Sequence, residues 1–414
     1  MPTSHFLDLA SSRLSGEVLA ANDEFFAPKD NLLNPAAPIF IADKHTDRGR
    51  WMDGWETRRR RTPGHDSCIV RLGVPGVIRS VVVDTAFFRG NFPSHCWLDA
   101  CGLPEGATAT DEHVEWHPIV ARSELGGDMQ NTFAVPDARR FTHVRLNIFP
   151  DGGVARLRVL GEPLPDWTRV LAAGEIDLAS RVLGGHVVDT SDRFFGEPQN
   201  MLMPYPATMG DGWETKRRRG PGHDWAVVRL AAEALITRVE VATTHFEGNC
   251  PESCALEAAV LAENGGVSAD VATHVGAHWA EVMPRTLLQP DQEHVLALQR
   301  PAAITATHVR LNIFPDGGVS RFRVFGRLTA RARVSAVLRL LNAADGPDLR
   351  ARLGDICGAP GWIDRMAAAR PYASAAAALA ASDAASRAVP QTEPRVAASE
   401  QQRLTRARLE QLLG

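Results

Sequence analysis

One stretch of this chain, Thr-His-Val-Arg-Leu-Asn-Ile-Phe-Pro-Asp-Gly-Gly-Val at 142–154, returns letter for letter at 307–319. A second, Asp-Gly-Trp-Glu-Thr-Arg-Arg-Arg-Arg-Thr-Pro-Gly-His-Asp at 53–66, returns at 211–224 with Arg58 replaced by Lys216 and Thr62 by Gly220. A chain that writes one unit twice is expected to fold it twice, and each copy is large enough to be a domain rather than one turn of a solenoid. The spacing between matches is not constant. Asp8 returns as Asp177 but Asp53 as Asp211, so the first copy holds eleven more residues between Asn31 and Asp53. Thr142 returns as Thr307, so the second holds seven more between Glu257 and Thr307. Insertions collect in surface connections, which puts both differences in loops and the matched stretches on the framework. The division that follows is 1–170 and 171–330 for the two copies, with 331–414 left over.

Several function classes are disfavoured by the totals. A net charge of −4 and a pI near 6.4 give no reason to expect nucleic acid or an anionic membrane as partner. The N-terminal Met1-Pro2-Thr3-Ser4-His5 has no charged leader before an apolar run, and no apolar run reaches membrane-spanning length. The six cysteines contain no CxxC pair, and only Cys96 and Cys254 fall at matching positions of the repeat. The expectation is a cytoplasmic protein with reduced, packed thiols.

Within each copy the hydrophobic period is two. Val144, Leu146 and Ile148 alternate with Arg145 and Asn147, and Ala155, Leu157 and Val159 with Arg156 and Arg158. That is the signature of half-buried strands, with Pro150-Asp151-Gly152-Gly153 as the tight turn between them. Residues 77–84 and 239–243 read as further strands. Long amphipathic helices are absent from both copies, so the fold class expected is all-β, two antiparallel sandwiches in tandem. After Gly326 the pattern changes. Val334, Val337, Leu338 and Leu341 lie at helical spacing, 373–385 is alanine-rich, 401–413 closes as a short helix and 390–398 reads as a connector.

Three duplicated polar clusters are candidates for chemistry. The first holds Asp53, Glu56, Arg58–Arg61, His65 and Asp66, matched by Asp211, Glu214, Lys216–Arg219, His223 and Asp224. Guanidinium groups grip carboxylates in bidentate fashion, and a histidine beside a carboxylate moves protons near neutral pH. The structural alternative is that alternate arginines face solvent or pair with Asp53 and Glu56. The run of four arginines is flanked by acids in a net-acidic chain, which argues against nucleic acid. The second cluster is the stretch 84–93, matched by 242–251, with Gly90-Asn91 and Gly248-Asn249 marking turns. Here the copies differ: Asp84, Phe87 and Arg89 face Ala242, His245 and Glu247. The third is the repeated turn itself, in which Asp151 and Asp316 read as turn residues.

On these residues the chain resembles the allantoicase (allantoate amidinohydrolase) family. The Asp-Gly-Trp-Glu-Thr-x-Arg-Arg-Arg, Phe-x-Gly-Asn-x-Pro and Arg-Leu-Asn-Ile-Phe-Pro-Asp-Gly-Gly-Val-x-Arg stretches each occur twice in the family's order, over about 8–328. The resemblance implies two jelly-roll β-sandwiches of the galactose-binding-like type, followed by the short α-helical C-terminal tail that the spacing after Gly326 indicates. It also implies a hydrolase of linear amidines that converts allantoate to ureidoglycolate and urea in purine (allantoin) catabolism. In the tail, Trp362, Met366 and Arg370-Pro371-Tyr372 resemble the opening of ureidoimidazoline decarboxylase domains. Glu393-Pro394 stands where those domains carry a catalytic His-Pro, and Ser399-Glu400-Gln401 reads as another remnant, so the segment reads as a truncated relic.

Losing urea from allantoate requires a cation for its carboxylate, acceptors for ureido N–H groups, and an acid/base pair. The expected substrate-binding residues are Arg59, Arg61, Arg217 and Arg219, because alternation puts each pair on one side, with Asn91 and Asn249. Glu56 and Glu214 are expected to hold ureido groups, and His65 and His223 to carry protons, oriented by Asp66 and Asp224. No certain cofactor is implied. Mn²⁺ stays open because histidine and carboxylates suit it, although no metal-spacing motif is present. The competing reading is a non-catalytic tandem sandwich that binds a small anion or sugar, and fold alone does not decide between them. Spare sheet edges make a homo-oligomer the expectation, and the only other partner expected is the small-molecule substrate.

Overall fold

The computed structural model describes residues 6–110, 113–261, 277–296, 298, 304–388 and 395–413. The chain forms two compact units. One runs to Pro165 and includes Leu338–Leu413, and the other is Asp166–Val337.

The first unit is built from β1 (Leu7–Asp8), β2 (Glu17–Ala21), β3 (His45–Thr46), β4 (Gly49–Arg50), β5 (Trp55–Glu56), β6 (Asp66–Asp84), β7 (His95–Cys101), β8 (His117–Glu124), β9 (Gln130–Ala134), β10 (Arg140–Phe149), β11 (Gly153–Val154) and β12 (Arg156–Pro163). The long strand β6 is the hub, and the expected strand at 77–84 is only its second half. Up to Arg71 it lies between β2 and β10, and from Ser80 onward between β12 and β9. Leu72-Gly73-Val74-Pro75-Gly76 sits between the halves. At Gly73 a Cβ would lie 2.2 Å from the Leu14 carbonyl oxygen, so the bend needs a residue without a side chain there. One strand thereby serves both layers of a sandwich. Its core is the set the alternation picked out: Val144, Leu146, Ile148, Leu157 and Val159 are fully buried, with Val70, Val81, Val83 and Leu98.

The second unit repeats this plan with β13 (Ile176–Asp177), β14 (His186–Thr190), β15 (Trp213–Glu214), β16 (Asp224–Ala242), β17 (Ser253–Ala259), β18 (Ala280–Leu287), β19 (Glu293–Leu296), β20 (Thr305–Phe314), β21 (Gly318–Val319) and β22 (Arg321–Leu328). The hub is β16, flanked by β14 and β20 in one half and by β22 and β19 in the other. All pairings in both units are antiparallel, and the all-β tandem is the fold observed.

Alternation misplaces Asn147, which is 2% exposed, and one arginine in each copy. Arg156 was expected on the outer face of β12, yet it is 1% exposed. Its guanidinium donates to the Ala36 carbonyl at 3.0 Å, the Asp53 carbonyl at 3.1 Å and the Asp53 carboxylate at 2.7 Å. Asp53 also accepts the Ile39 N–H at 2.9 Å. A buried charge persists only when paired and fully hydrogen-bonded, and here it pins the loop that holds the eleven additional residues. Arg321 is the counterpart, donating to the Asp211 carbonyl at 2.8 Å.

The helical tail comprises Ala330–Ala343, Gly346–Ile356, Pro360–Ala368, Ala375–Ala388 and Arg395–Leu413. The last helix therefore takes in 395–398 of the expected connector, while 390–394, including Glu393-Pro394, lie outside the described residues. Trp362, Met366 and Tyr372 are core residues of this layer, 1%, 0% and 4% exposed. Buried Arg140 on β10 meets buried Asp348 at 2.8 Å, tying the tail to the first sandwich. No helix among the described residues is long and apolar enough to cross a membrane.

Candidate active site

The three duplicated motifs meet at one end of each sandwich. In the first unit β5, from the Asp-Gly-Trp-Glu stretch, pairs with β11, from the Asp-Gly-Gly-Val turn, with Glu56 opposite Gly153. The Thr57 N–H donates to the Gly152 carbonyl at 3.1 Å, and Gly153 N–H to the Asn91 carbonyl at 2.7 Å. Asn91 Nδ2 then donates to Glu56 Oε1 at 2.6 Å. The second unit reproduces this: Glu214 opposite Gly318, Gly318 N–H to the Asn249 carbonyl at 2.8 Å, and Asn249 Nδ2 to Glu214 Oε1 at 2.5 Å.

Glycine is required where these chains touch. A Cβ at Gly153 would stand 1.9 Å from Cε1 of the fully buried Phe88, and one at Gly318 would stand 2.0 Å from Cδ1 of Phe246. The turn after β6 carries a second constraint. Phe87 has φ +68°, a left-handed conformation uncommon for a bulky residue. Its N–H is held by Asp128 Oδ1 at 2.7 Å. Arg89 Nε reaches the other carboxylate oxygen of Asp128 at 2.9 Å. The Phe87 and Arg89 bonds together keep the Asp128 carboxyl below the usual range.

This framework leaves a cavity of about 420 Å³ in the first unit, lined by Phe26, Phe40, Gly49, Arg50, Met52, Glu56, Phe87, Arg89, Gly90 and Asn91. The volume suits a small ligand. Glu56 is its half-buried acid. Burial raises its pKa above the ordinary value, and the hydrogen bond from Asn91 opposes that rise. Phe40, Gly49, Arg50 and Met52 come from the longer loop of the first copy, where β3 and β4 form a small hairpin.

The remaining expected residues are distributed differently. The local strand covers only Trp55–Glu56, so alternation does not extend through the arginine run. Arg59 and Arg61 are exposed, as are Arg217 and Arg219. The inward-facing member is Arg60, which donates to Asp66 Oδ1 at 2.5 Å and to the His65 carbonyl at 3.2 Å; its own N–H goes to Asp151 at 2.8 Å. Arg58 pairs with Asp23 at 2.6 Å. Asp66 Oδ1 therefore accepts from Arg60 and from Asn22 Nδ2 at 3.2 Å. Arg218 and Asp224 repeat the pair.

His65 belongs to a separate, duplicated network. Its Nε2 lies 3.2 Å from Asn147 Oδ1; Asn147 Nδ2 donates to Asp99 at 3.1 Å, and Arg145 donates to the same oxygen at 2.8 Å. The second copy substitutes Glu257 for Asp99: His223 Nε2 lies 3.1 Å from Asn312 Oδ1, and Asn312 and Arg310 both bond Glu257. Each ring packs at a tilt against an aromatic, His65 against Trp97 with centroids 4.5 Å apart and His223 against Phe314 at 4.6 Å.

Sequence reasoning missed Arg50 and passed over Arg89. The exchange of Arg89 for Glu247 was a visible signal, whereas Arg50 lies in a segment without a repeat partner. Among the described residues no three His, Cys, Asp or Glu side chains gather as a metal site would require, so the donor set does not fit the Mn²⁺ that the sequence left open.

Fold and site together define a tandem β-sandwich protein whose first repeat holds a small cavity lined by one glutamate and two arginines. The chain belongs to the allantoicase family, whose repeat matches residues 7–164 and 176–329. It is 45% identical over 327 residues to a probable allantoicase of Burkholderia mallei, covering 79% of this chain and 96% of that protein. It is 46% identical to a probable allantoicase of Pseudomonas aeruginosa, with 79% and 97% covered. The crystal structure of Saccharomyces cerevisiae allantoicase superposes with a TM-score of 0.64 at 36% identity, over 77% of this chain and 92% of that one. The helical tail after residue 329 lies beyond the matched repeats.

Proposed function

We propose that this protein is an allantoicase, hydrolysing allantoate to ureidoglycolate and urea, and that the first-copy cavity is where the reaction occurs. The observation that carries the placement is the half-buried Glu56 carboxylate, fixed by Asn91 on the wall of that cavity at the meeting point of the three duplicated motifs.

Allantoate has a central carbon bearing a carboxylate, a hydrogen and two ureido groups. Hydrolysis forms one C–O bond to that carbon, breaks one C–N bond, and transfers a proton from water to the departing nitrogen. Glu56 is the proton carrier. Its raised pKa makes it a stronger base than a solvated glutamate, so it takes the proton from the attacking water and returns it to the leaving group. Asn91 fixes its orientation. His65 takes no part in this proton transfer, since its Nε2 is engaged with Asn147.

The test is urea release by the purified full chain given allantoate. Glu56→Gln keeps the shape but removes the base, and kcat is expected to fall about 10²- to 10⁴-fold. Full activity in that variant overturns the role of Glu56. Absence of urea from the unaltered protein overturns the substrate, and saturable allantoate uptake without urea would select the non-catalytic binder instead.

A further inference from the structure

We infer that only the first copy turns over allantoate, and that Arg50, with Arg89 beside it, selects the substrate's carboxylate there. This rests on the reading of the first-copy cavity above and extends it to specificity.

The two copies share the Glu–Asn pair but not its surroundings. In the first, Arg50 on β4 and Arg89 on the turn after β6 both line the cavity that contains Glu56. Asp128 holds Arg89 at Nε, which fixes the direction in which the guanidinium points. Asp128 offsets part of the Arg89 charge, which leaves Arg50 as the lining cation without a carboxylate partner among the described residues. A guanidinium suits a small carboxylate because its paired N–H donors match both oxygens. In the second copy Glu247 stands in place of Arg89. The segment 201–210, which replaces the longer loop, contains neither lysine nor arginine. Met209 Sδ instead lies 3.7 Å from Asn249 Nδ2, against the Glu214–Asn249 pair. Glu214 and Glu247 then present like charge to an anionic ligand, which disfavours its binding.

Cover differs as well. Phe25 and Phe26 are 39% and 36% exposed, while their counterparts Phe194 and Phe195 are 67% and 62% exposed. The longer first-copy loop, anchored through Asp53 and buried Arg156, shelters the site, and the second copy lacks that loop. Exclusion of water strengthens every charge interaction within a site.

The experiment measures urea from the full chain with allantoate and, separately, with its neutral carboxamide. In Arg50→Gln, KM for allantoate is expected to rise about 10- to 100-fold while kcat/KM for the carboxamide holds, since loss of one charge-assisted contact acts only on the anion. Arg50→Lys should recover part of the loss. An equal fall for both compounds would mean a structural role for Arg50 and overturn the specificity claim. Glu56→Gln alone should leave under about 1% of the activity, and His245→Ala should match the unaltered protein. Retention of about half the activity in Glu56→Gln, or a large loss in His245→Ala, would overturn the single active copy. Urea release by the unaltered protein is scored independently, so failure of the substrate assignment is not confused with failure of this inference.

Discussion

Asn91 donates to the Glu56 carboxylate at 2.6 Å, and this bond is the one influence that opposes the burial raising the pKa of that acid. A base must be deprotonated to act, so activity should fall as pH drops through a pKa above the ordinary glutamate value of about 4.3. Asn91→Ala removes the stabilising donor and should move that acid limb to still higher pH. A pH profile of kcat/KM for both proteins checks this, since that ratio reports groups of the free enzyme, and an unmoved limb would separate the limb from Glu56.

Gly153 and Gly318 offer paired substitutions. Alanine at either position meets a buried phenylalanine ring, Phe88 or Phe246, and overpacking of this kind costs about 1–3 kcal/mol. Gly153 faces Glu56 across the β5–β11 pair, so Gly153→Ala should lose both stability and activity. Gly318→Ala should lose a comparable amount of stability in denaturant melts while urea release persists.

The Arg140–Asp348 pair ties the tail to the first sandwich, with both side chains 4% exposed or less. Asp348 also meets Arg352 at 3.0 Å, and Arg140 Nε donates to the Leu164 carbonyl at 2.8 Å. Removing one partner strands a buried charge, so Asp348→Ala should cost about 3–5 kcal/mol. The double change Arg140→Met with Asp348→Leu should recover most of it, as read by chemical denaturation of the full chain.

His143 makes stability depend on pH. Burial pushes its imidazole down to about 4, with the charge of Arg71 adding to the effect. An unfolded histidine titrates near 6.5, so between these values the unfolded chain binds a proton that the folded chain refuses. The contribution is complete above about 6.5 and is lost as pH falls toward 4. Urea melts across this window should show a smaller decline for His143→Gln than for the unaltered protein.

The longer-range outcome differed from the local one in instructive places. Alternation correctly buried Val144, Leu146 and Ile148, but it also put Arg156 outside, and the structure buries it because Asp53 and the carbonyls of a distant loop satisfy its donors. The same rule grouped Arg59 with Arg61. With only Trp55–Glu56 in the strand, Arg60 turns inward instead, drawn by Asp66.

What the sequence determined by itself was repetition, strand periodicity and family, since these are written in contiguous residues: a duplicated stretch is visible without folding, and a pleat alternates side chains over a few positions. Tertiary structure decided which charges neutralise one another and which remain to meet a ligand. Those choices depend on partners far apart in the chain, such as Arg156 with Asp53 or Asn91 with Glu56, and on a loop that one copy has and the other lacks. Glu56 and Asn91 could be picked out as residue types, but only folding made them neighbours in a cavity with Arg50.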